Sequence, residues 1–464
     1  MSWSPRLAAR LLGCASGQEI GVGRGKPAHN GRHAPHPCPL SPALMSSDSG
    51  RLVVRPSEGL HGEVPIAGAK NSVLKLMAAT VLAEGTHVLH NVPDLTDVTD
   101  MAELLSAMGL VVTRDGATLT IERPAEIVPE APYELVERMR ASIVVLGPLL
   151  AKVGEARVAV PGGDDFGHRP IDMHLASLES LGARFTSSHG FIQGRADQLH
   201  GTSVVLDFPS VGATENLLMA AVLAKGTTTI DNAAREPEIA DLASMLNRMG
   251  AQVVGAGSST IEIEGVAELT PVEHTVIPDR IEAATFLAVV GVAGGEVTLL
   301  GARADHMDML IQKLGTMGMR ISPTPEGIWA MSKGELRSTD ISTLPYPGVA
   351  TDYKPLLVAM LTVAEGIGIV TENIFGGRFR YISELVRMGA DIRTEGHHAV
   401  VRGIPALSGA PVRASDIRAG AALVIAGIRA EGETLISGAG HLDRGYERFD
   451  EKLRDIGVDV TRLP

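Results

Sequence analysis

Cysteine, aromatic residues and long apolar runs are scarce in this sequence. The two cysteines among 464 residues, Cys14 and Cys38, both precede residue 45, so the rest of the chain has no internal disulfide and no thiol nucleophile. Aromatic content of 3% and a net charge of −13 disfavour a nucleic-acid binder, which needs stacking platforms and a positive field. No apolar run approaches the roughly 18 residues that cross a bilayer. These absences predict a cytoplasmic protein, without membrane or nucleic-acid partners, whose chemistry depends on carboxylates, histidines and cations.

The first 44 residues differ in composition from everything after them. They are rich in proline, glycine and histidine, carry five basic residues against the single acid Glu19, and lack sustained periodicity. We predict that residues 1–44 form a disordered extension.

The rest of the chain contains a repeated sequence pattern. A helix-like segment that ends in an apolar residue plus glycine recurs six times, at intervals of 68 to 73 residues. Before the helix a glycine leads into a β-branched strand, as at Gly85 and Gly226, and a pair of short strands follows it. The sequence therefore predicts six α/β units of about 70 residues. The six pairs are Met108-Gly109, Leu181-Gly182, Met249-Gly250, Met317-Gly318, Met388-Gly389 and Ile456-Gly457.

The loops between strand and helix in these units hold most of the polar side chains. Arginines near helix starts would add to the free N–H groups and the positive end of the helix dipole, which together bind anions. We therefore predict one shared cleft for phosphate and carboxylate groups. The loop residues are Asp94, Asp97, Arg169, Arg235, Asp305, Asp308, Arg378 and Arg444.

One loop, P-G-G-D-D-F-G-H-R-P-I-D-M-H at residues 161–174, combines flexible backbone with acids and a cation. Its glycines allow close approach to a ligand, and its acids suit proton transfer to an anionic substrate. Taken alone it could be an ordinary polar connection between two elements.

Several motifs together resemble the UDP-N-acetylglucosamine 1-carboxyvinyltransferase family of enolpyruvyl transferases. Besides the 161–174 loop, they are I-A-G-A-K-N at 66–71, F-P-S-V-G-A-T-E-N at 208–216, D-I-R at 416–418 and D-R-G-Y at 443–446. The match runs from about Leu52 to the C-terminus with its motifs in family order. The resemblance implies transfer of the enolpyruvyl group of phosphoenolpyruvate to UDP-N-acetylglucosamine with release of phosphate, the first committed step of peptidoglycan synthesis.

The resemblance also implies the fold: an α/β, two-lobed inside-out barrel built from the six repeats. Residues 45–69 with 278–464 would form lobe 1 and residues 70–277 lobe 2, with the chain crossing near Ala69 and Pro278. The lobes would close over the substrates. No cofactor, metal or obligatory protein partner is implied.

Site residues follow from the same resemblance, position by position. The catalytic residues would be Asp164, Asp352, Lys70 and Arg418. Phosphoenolpyruvate would contact Lys70, Asn71, Arg169, Arg378, Arg418 and Arg444. The UDP-sugar would contact Asn71, Arg140, Arg169, Pro170, Ile171, Asp172, Met173, Ser210, Val211, Asp352 and Ile374.

Proton transfer explains the two aspartates. The enol ether carbon is a poor electrophile until C3 is protonated, so Asp164 would be the acid and Asp352 the base for the sugar 3-hydroxyl. Asp164 can donate only if burial or the substrate's charge keeps it protonated. Most family members have cysteine at this position, and a carboxylate attacks an epoxide far less readily than a thiolate, so we predict resistance to fosfomycin.

Three departures from the family pattern leave the acceptor open. They are Ala350, the pair Tyr353-Lys354 and the pair Gly376-Gly377, all beside the predicted base and carboxylate-binding residues. The alternatives are a paralogue that acts on another nucleotide in secondary metabolism and a non-catalytic UDP-sugar-binding protein. A 3-phosphoshikimate 1-carboxyvinyltransferase is disfavoured because that family pairs its lysine with serine, whereas Lys70 precedes Asn71 here.

Overall fold

The structure is a computed structural model that describes residues 50–162 and 170–463. The extension predicted for residues 1–44 lies outside the described residues. Within the described ranges, no helix is both long enough and apolar enough to span a membrane.

Six four-stranded sheets make up most of the β-structure of the described residues. Each sheet has one parallel strand pair at one edge and two antiparallel pairs beyond it. A small seventh sheet pairs Leu407–Ser408 with Ala430–Glu431. In spatial order the six are Glu273–Thr275, Gly85–His90, Thr118–Arg123, Val111–Asp115; Glu130–Ala131, Glu155–Ala159, Phe191–Arg195, Arg184–Ser188; Ser203–Val205, Thr227–Asp231, Thr260–Glu264, Gln252–Val254; Leu60–Pro65, Gly295–Leu300, Gly327–Ser332, Arg320–Thr324; Ile341–Ser342, Ile367–Thr371, His398–Arg402, Asp391–Glu395; and Pro411–Arg413, Thr434–Ser437, Arg51–Val54, Val460–Leu463.

Six amphipathic helices, here called the outer helices, follow the first long strand of each unit. Each ends two residues before a glycine with φ between +91° and +108°, the left-handed conformation that glycine adopts without steric cost. These glycines are the six that the sequence marked, so the predicted repeat is confirmed. The outer helices are Thr96–Ala107, Asp172–Ser180, Pro237–Arg248, Asp308–Thr316, Ile382–Arg387 and Phe449–Asp455.

Six further helices, the inner helices, are almost wholly buried, and most of them are apolar on nearly all sides. Their uniform hydrophobicity fits a helix enclosed by other elements, because a surface helix needs a polar face. The sequence analysis did not predict them. They are Lys70–Ala79, Leu146–Val153, Val211–Ala221, Arg280–Ala293, Lys354–Leu361 and Ile417–Ile428. Two short helices, Tyr133–Val136 and Gly440–Asp443, complete the α-helices of the described residues.

The buried side chains form two separate hydrophobic clusters. The first, core A, draws on residues 73–276, and the second, core B, on residues 52–66 and 281–460. The chain crosses between the two clusters twice, and the two crossing segments form backbone hydrogen bonds with each other. Ala69 N–H donates to Ile277 O (2.7 Å), and Asp279 N–H donates to Ala67 O (2.8 Å). The predicted domain boundaries at 69/70 and 277/278 stay a prediction. The strands of the described residues form open four-stranded sheets around buried helices rather than a closed barrel.

Residues from both ends of the described chain share one sheet. Arg51–Val54 lies between Thr434–Ser437 and Val460–Leu463 and is antiparallel to both. In the other five sheets the two hairpin strands follow each other in sequence. The sixth unit therefore takes its third strand from the beginning of the chain.

Candidate active site

All six inner helices begin around one cavity of about 590 Å³. Each helix has a lining residue at its first position or within two residues before it, such as Lys70, Val211, Arg280 and Ile417. Helix starts carry the positive end of the helix dipole, so their convergence favours bound anions.

Core B supplies a cluster of opposite charges to this cavity. Arg378 Nη2 donates to Asp352 Oδ1 at 2.8 Å, and Arg418 Nε lies 3.7 Å from the same oxygen. Burial opposes ionisation of Asp352, but the two guanidinium groups outweigh burial and hold the pKa of Asp352 well below its usual range. Asp352 is therefore a carboxylate at neutral pH, and 28% of its side chain is exposed to the cavity.

A second cluster joins the two cores through Asp97. Lys70 Nζ lies 2.6 Å from one carboxylate oxygen of Asp97, and Arg444 Nε donates to the other at 2.8 Å. Burial lowers the pKa of Lys70, Asp97 opposes that shift, and Arg444 and Arg418 add to it. Two buried cations thus contact the same carboxylate at the start of the helix Lys70–Ala79, and both line the cavity, where they can bind an anion.

Core A presents the neutral groups Ser210 and His174 beside the cation Arg140. Ser210 Oγ caps the helix Val211–Ala221 by accepting from Ala213 N–H (3.3 Å), while Arg140 Nη1 donates to Pro161 O (3.2 Å). His174 accepts at Nδ1 from the amide of Asn216 (2.9 Å), whose carbonyl oxygen is occupied by Gly147 N–H (2.8 Å).

That contact fixes the tautomer of His174. Since Nδ1 accepts, the proton lies on Nε2, the edge of the ring beside Gly212 at the start of the helix. A Cβ at Gly212 would lie 3.0 Å from Nε2, so only glycine leaves room there. Burial, helped by Arg140, lowers the pKa of His174 to about 4. His174 is therefore a neutral N–H donor at the cavity across the physiological pH range.

A buried acid, Glu215, lies deeper in the core A side. It is 1% exposed, its nearest charge is Lys75 Nζ at 3.5 Å, and neither carboxylate oxygen accepts a hydrogen bond. Burial raises the pKa of Glu215 to about 7, although Lys75 opposes this. Opposite it, Arg280 from core B donates to Glu238 (3.0 Å) and to Tyr353 Oη (3.0 Å).

Most of the residues predicted from the sequence line this one cavity. Ile171 is half-buried and Asp172 is exposed, and neither reaches the lining. Asp164 and Arg169 lie outside the described residues. The predicted residues that line the cavity are Lys70, Asn71, Arg140, Pro170, Met173, Ser210, Val211, Asp352, Ile374, Arg378, Arg418 and Arg444.

The expectation that every polar loop feeds a shared cleft is wrong for four residues. Asp305 and Asp308 line a separate surface recess. Arg235 is exposed and does not line the cavity, and Asp94 is an exposed partner of Arg114 at 3.7 Å. The helix-start argument failed here because the inner helices, rather than the outer ones, point their first turns at the cavity.

Three site residues had no assigned role in the sequence analysis. His174 lies within the 161–174 motif and Glu215 within the 208–216 motif, so both were quoted without a function. Asp97 was grouped with the loop acids but not identified as the shared partner of two cations. Counting the predicted site cations that lack an acidic partner would have indicated that such an acid is needed.

Comparison with known proteins gives consistent matches across the chain. Residues 54–453 match the family model described as EPSP synthase (3-phosphoshikimate 1-carboxyvinyltransferase). A UDP-N-acetylglucosamine 1-carboxyvinyltransferase of Mycolicibacterium paratuberculosis is 49% identical over 413 residues, 89% of this chain and 99% of the relative.

Solved structures show the same architecture. The enolpyruvyl transferase NikO of Streptomyces tendae is similar with a TM-score of 0.81 at 25% identity, covering 89% of this chain and all of NikO. EPSP synthase of Acinetobacter baumannii shares the fold with a TM-score of 0.70 at 19% identity, over 90% of this chain and 100% of its own.

Proposed function

The chain belongs to the EPSP synthase (3-phosphoshikimate 1-carboxyvinyltransferase) family of enolpyruvyl transferases, and from that premise we propose that its acceptor is UDP-N-acetylglucosamine. The enzyme would transfer the enolpyruvyl group of phosphoenolpyruvate to the sugar 3-hydroxyl and release phosphate, a step toward peptidoglycan. The relative at 49% identity over nearly its whole length supports this acceptor over shikimate 3-phosphate. The pair Lys70-Asn71 supports it as well.

The observation that carries the proposal is the composition of the cavity. Lys70, Arg378, Arg418 and Arg444 line it, paired with the carboxylates of Asp97 and Asp352. A substrate with a phosphate and a carboxylate at adjacent carbons requires several cations within a few ångströms, and arginine can bind a carboxylate through two parallel hydrogen bonds. We assign Lys70 and Arg444 to the phosphate, and Arg378 and Arg418 to the carboxylate.

Asp352 is suited to accept the proton of the sugar hydroxyl. It is ionised, reaches the cavity, and adjoins the arginines that would hold the carboxylate of phosphoenolpyruvate. In the addition step the hydroxyl oxygen bonds to C2 while its proton passes to Asp352 and C3 gains a proton. In the elimination step C3 loses a proton and the C2–O bond to phosphate breaks. The cations stabilise the charge that develops in both steps.

Asp164 stays our predicted acid for C3, since it lies outside the described residues. The predicted fosfomycin resistance depends on the same residue. A covalent mass increase at Asp164 after incubation with the drug would contradict that prediction. The predicted cytoplasmic location likewise stays a prediction.

Phosphate release by the purified full-length chain tests the proposed acceptor. Phosphoenolpyruvate is supplied with UDP-N-acetylglucosamine, with UMP or with shikimate 3-phosphate, and each assay is repeated with Asp352→Asn. We expect turnover with the UDP-sugar alone, and its loss in the variant.

Other outcomes would change the assignment. Turnover with a different nucleotide only would identify a paralogue whose altered residues 350, 353–354 and 376–377 changed the acceptor. Tight binding of the UDP-sugar with no phosphate release would instead indicate a binding protein. Turnover with shikimate 3-phosphate would overturn the proposal within the same family.

A further inference from the structure

A fully buried lysine, Lys354, lies directly behind the charged side of the cavity. It is the first residue of the helix Lys354–Leu361, two positions after Asp352, and its side chain is 0% exposed. Neither Lys354 nor its partner Glu372 lines the cavity. Any effect of this pair on the reaction must therefore pass through other residues.

Lys354 anchors the C-terminal end of the loop that carries Arg378. Its Nζ lies 2.8 Å from Glu372 Oε2 and donates to the backbone carbonyl of Arg378 at 2.5 Å. The same ammonium group sits 4.0 Å from the ring centroid of Phe379, which adds a cation–π contact. Three contacts from one buried group thus fix the position of Arg378 relative to the helix.

Glu372 anchors the N-terminal end of the same loop and also Thr351, the residue before Asp352. One oxygen accepts from the N–H groups of Ile374 (2.8 Å) and Phe375 (3.1 Å), and the other from Thr351 Oγ1 (2.9 Å). Thr351 Oγ1 in turn accepts from Arg378 Nη1 at 3.1 Å. The pair therefore connects both residues of the Asp352–Arg378 contact.

Besides Glu372, Thr343 holds the first part of this loop, since Asn373 donates to it from its backbone N–H (2.9 Å) and from its side-chain amide (3.0 Å). Its centre is Gly376-Gly377, both exposed and without side chains, and glycine loses more backbone freedom on ordering than any other residue. A loop of this kind depends on its end contacts for a fixed geometry. Two departures from the family pattern, Lys354 and the glycine pair, thus meet in one structural unit.

We propose that Lys354, acting through Glu372, is the positioning residue that holds Arg378 and Asp352 in the geometry for phosphoenolpyruvate. The proposal rests on the proposed function and assigns Lys354 no contact with substrate. A residue of this kind affects the reaction through placement, and small displacements of a carboxylate-binding arginine are costly to the rate.

The charge on Lys354 gives the proposal a pH signature. Burial lowers the pKa of Lys354 to about 8 from its ordinary 10.5, with Glu372 opposing the shift, Arg378 adding to it and Asp416 opposing it. Tyr381, whose ring centroid lies 6.0 Å from Nζ, has a pKa raised by burial and stays neutral there. As pH rises through about 8, Lys354 loses its proton and its attraction for Glu372. Activity should therefore show an alkaline decline.

The first test compares Lys354→Gln with Lys452→Gln in the full-length chain. Lys452 is also buried and pairs with Glu282 at 2.7 Å, but it does not line the cavity or touch this loop. We expect Lys354→Gln to lower kcat/KM for phosphoenolpyruvate about 100-fold, with KM for the UDP-sugar changed less than about threefold. Lys452→Gln should leave both close to wild type. A folded Lys354→Gln protein with wild-type kcat/KM would overturn the proposal.

The second test uses Lys354→Arg, which keeps its charge at every pH used. The midpoint of the alkaline decline should rise by more than about one pH unit in this variant, because an arginine does not titrate near pH 8. An unchanged midpoint would overturn the proposal even if Lys354→Gln does not fold.

Amide hydrogen exchange at Ile374 and Phe375 separates this inference from the proposed function, since it needs no turnover. Both amides donate to Glu372. Their protection should fall in Lys354→Gln and persist in Lys452→Gln. If wild type releases no phosphate with any acceptor, the proposed function fails while loss of this protection still supports the anchoring. Retained protection in Lys354→Gln would overturn the inference whatever the activity.

Discussion

The two sides of the cavity differ in how their polar side chains are paired before a ligand binds. On the core B side, Asp352 is held by Arg378 and Arg418, so the charges are already paired before any substrate arrives. On the core A side, His174 and Ser210 are neutral groups fixed by hydrogen bonds behind them. A ligand carboxylate must share arginines with Asp352, whereas a nucleotide meets donors that need no exchange of partners. The proposed site for phosphoenolpyruvate therefore lies mainly among the paired charges of core B, with Lys70 added from the core A side, and the proposed nucleotide site lies mainly on core A.

Among the variants that test this contrast, Asp352→Asn should have the largest effect. The variant keeps the shape but loses both the proton acceptor and the charge that the two arginines share. We expect kcat to fall about 10²–10⁴-fold, the range for general acid–base groups, in a steady-state phosphate-release assay. Asp443→Asn, which weakens the partly exposed pair with Arg462, is the control and should stay near wild type. A decrease below tenfold would remove Asp352 from the chemistry.

A second effect concerns stability on the core A side. The pKa of Glu215, raised by burial to about 7, exceeds its ordinary 4.5. The folded protein therefore holds a proton that the unfolded chain has lost between these values, and the free energy of unfolding should fall as pH rises from 4.5 to 7. Glu215→Gln removes this titration.

Urea unfolding at pH 5 and pH 8 measures the difference. Wild type should lose on the order of 2 kcal/mol more stability than Glu215→Gln between these two conditions. The exposed replacement Glu63→Gln is the control and should follow wild type. Parallel pH dependence of wild type and Glu215→Gln would show that Glu215 is ionised in the folded protein.

A third prediction tests whether His174 is a neutral donor on the core A side. His174→Ala should raise KM for the UDP-sugar about tenfold, the scale of one or two lost hydrogen bonds, with kcat less affected. His174→Gln can still donate and should recover part of the loss. Because the pKa of His174 is about 4, its NMR signals should not titrate between pH 5.5 and 8. A transition near pH 6.5 would show that His174 takes up a proton in this range, and would break the contrast.

The smallest effect is that of Ser210→Ala on the core A side. The change removes the cap of the helix Val211–Ala221 without touching a charge. We expect a loss of about 1 kcal/mol in the free energy of unfolding, measured by urea, with a similar result at low and high salt. Ser210→Thr, which can still cap, should lose less. A strong salt dependence would indicate that charge, rather than capping, holds this end of the helix.

Sequence patterns predicted the parts of the fold that have a period. The six glycines after the outer helices are visible because each needs a left-handed backbone, and the alternating strands beside them repeat with it. The inner helices escaped prediction because most of them are apolar on nearly all sides and so lack the 3.6-residue alternation that identifies a surface helix. Their apolar runs, such as Ala419 to Ile428, were interpreted only as too short to cross a bilayer.

Motifs likewise predicted the side chains that face the cavity better than those behind it. Lys70, Arg378 and Arg418 belong to recognisable segments, and they do line one cavity. Lys354 was noticed only as a departure from the family pattern, since its partner Glu372 is 18 residues away and their pairing depends on tertiary packing. Asp97 was missed as a shared partner for the same reason, because Arg444 lies 347 residues further along the chain.

The strand Arg51–Val54, which lies between two strands from the other end of the chain, determines when core B can be completed during synthesis. Arg51 pairs with Leu463, so about 400 further residues must be translated before its sheet can close. At about 5–20 residues per second, this strand waits roughly 20 to 80 s with its backbone unpaired. None of the sheets within the segment 70–276 takes a strand from outside it, so we expect this segment to fold while the ribosome is still producing the rest. Core A is thus available as a folded neighbour when the last strands of core B emerge.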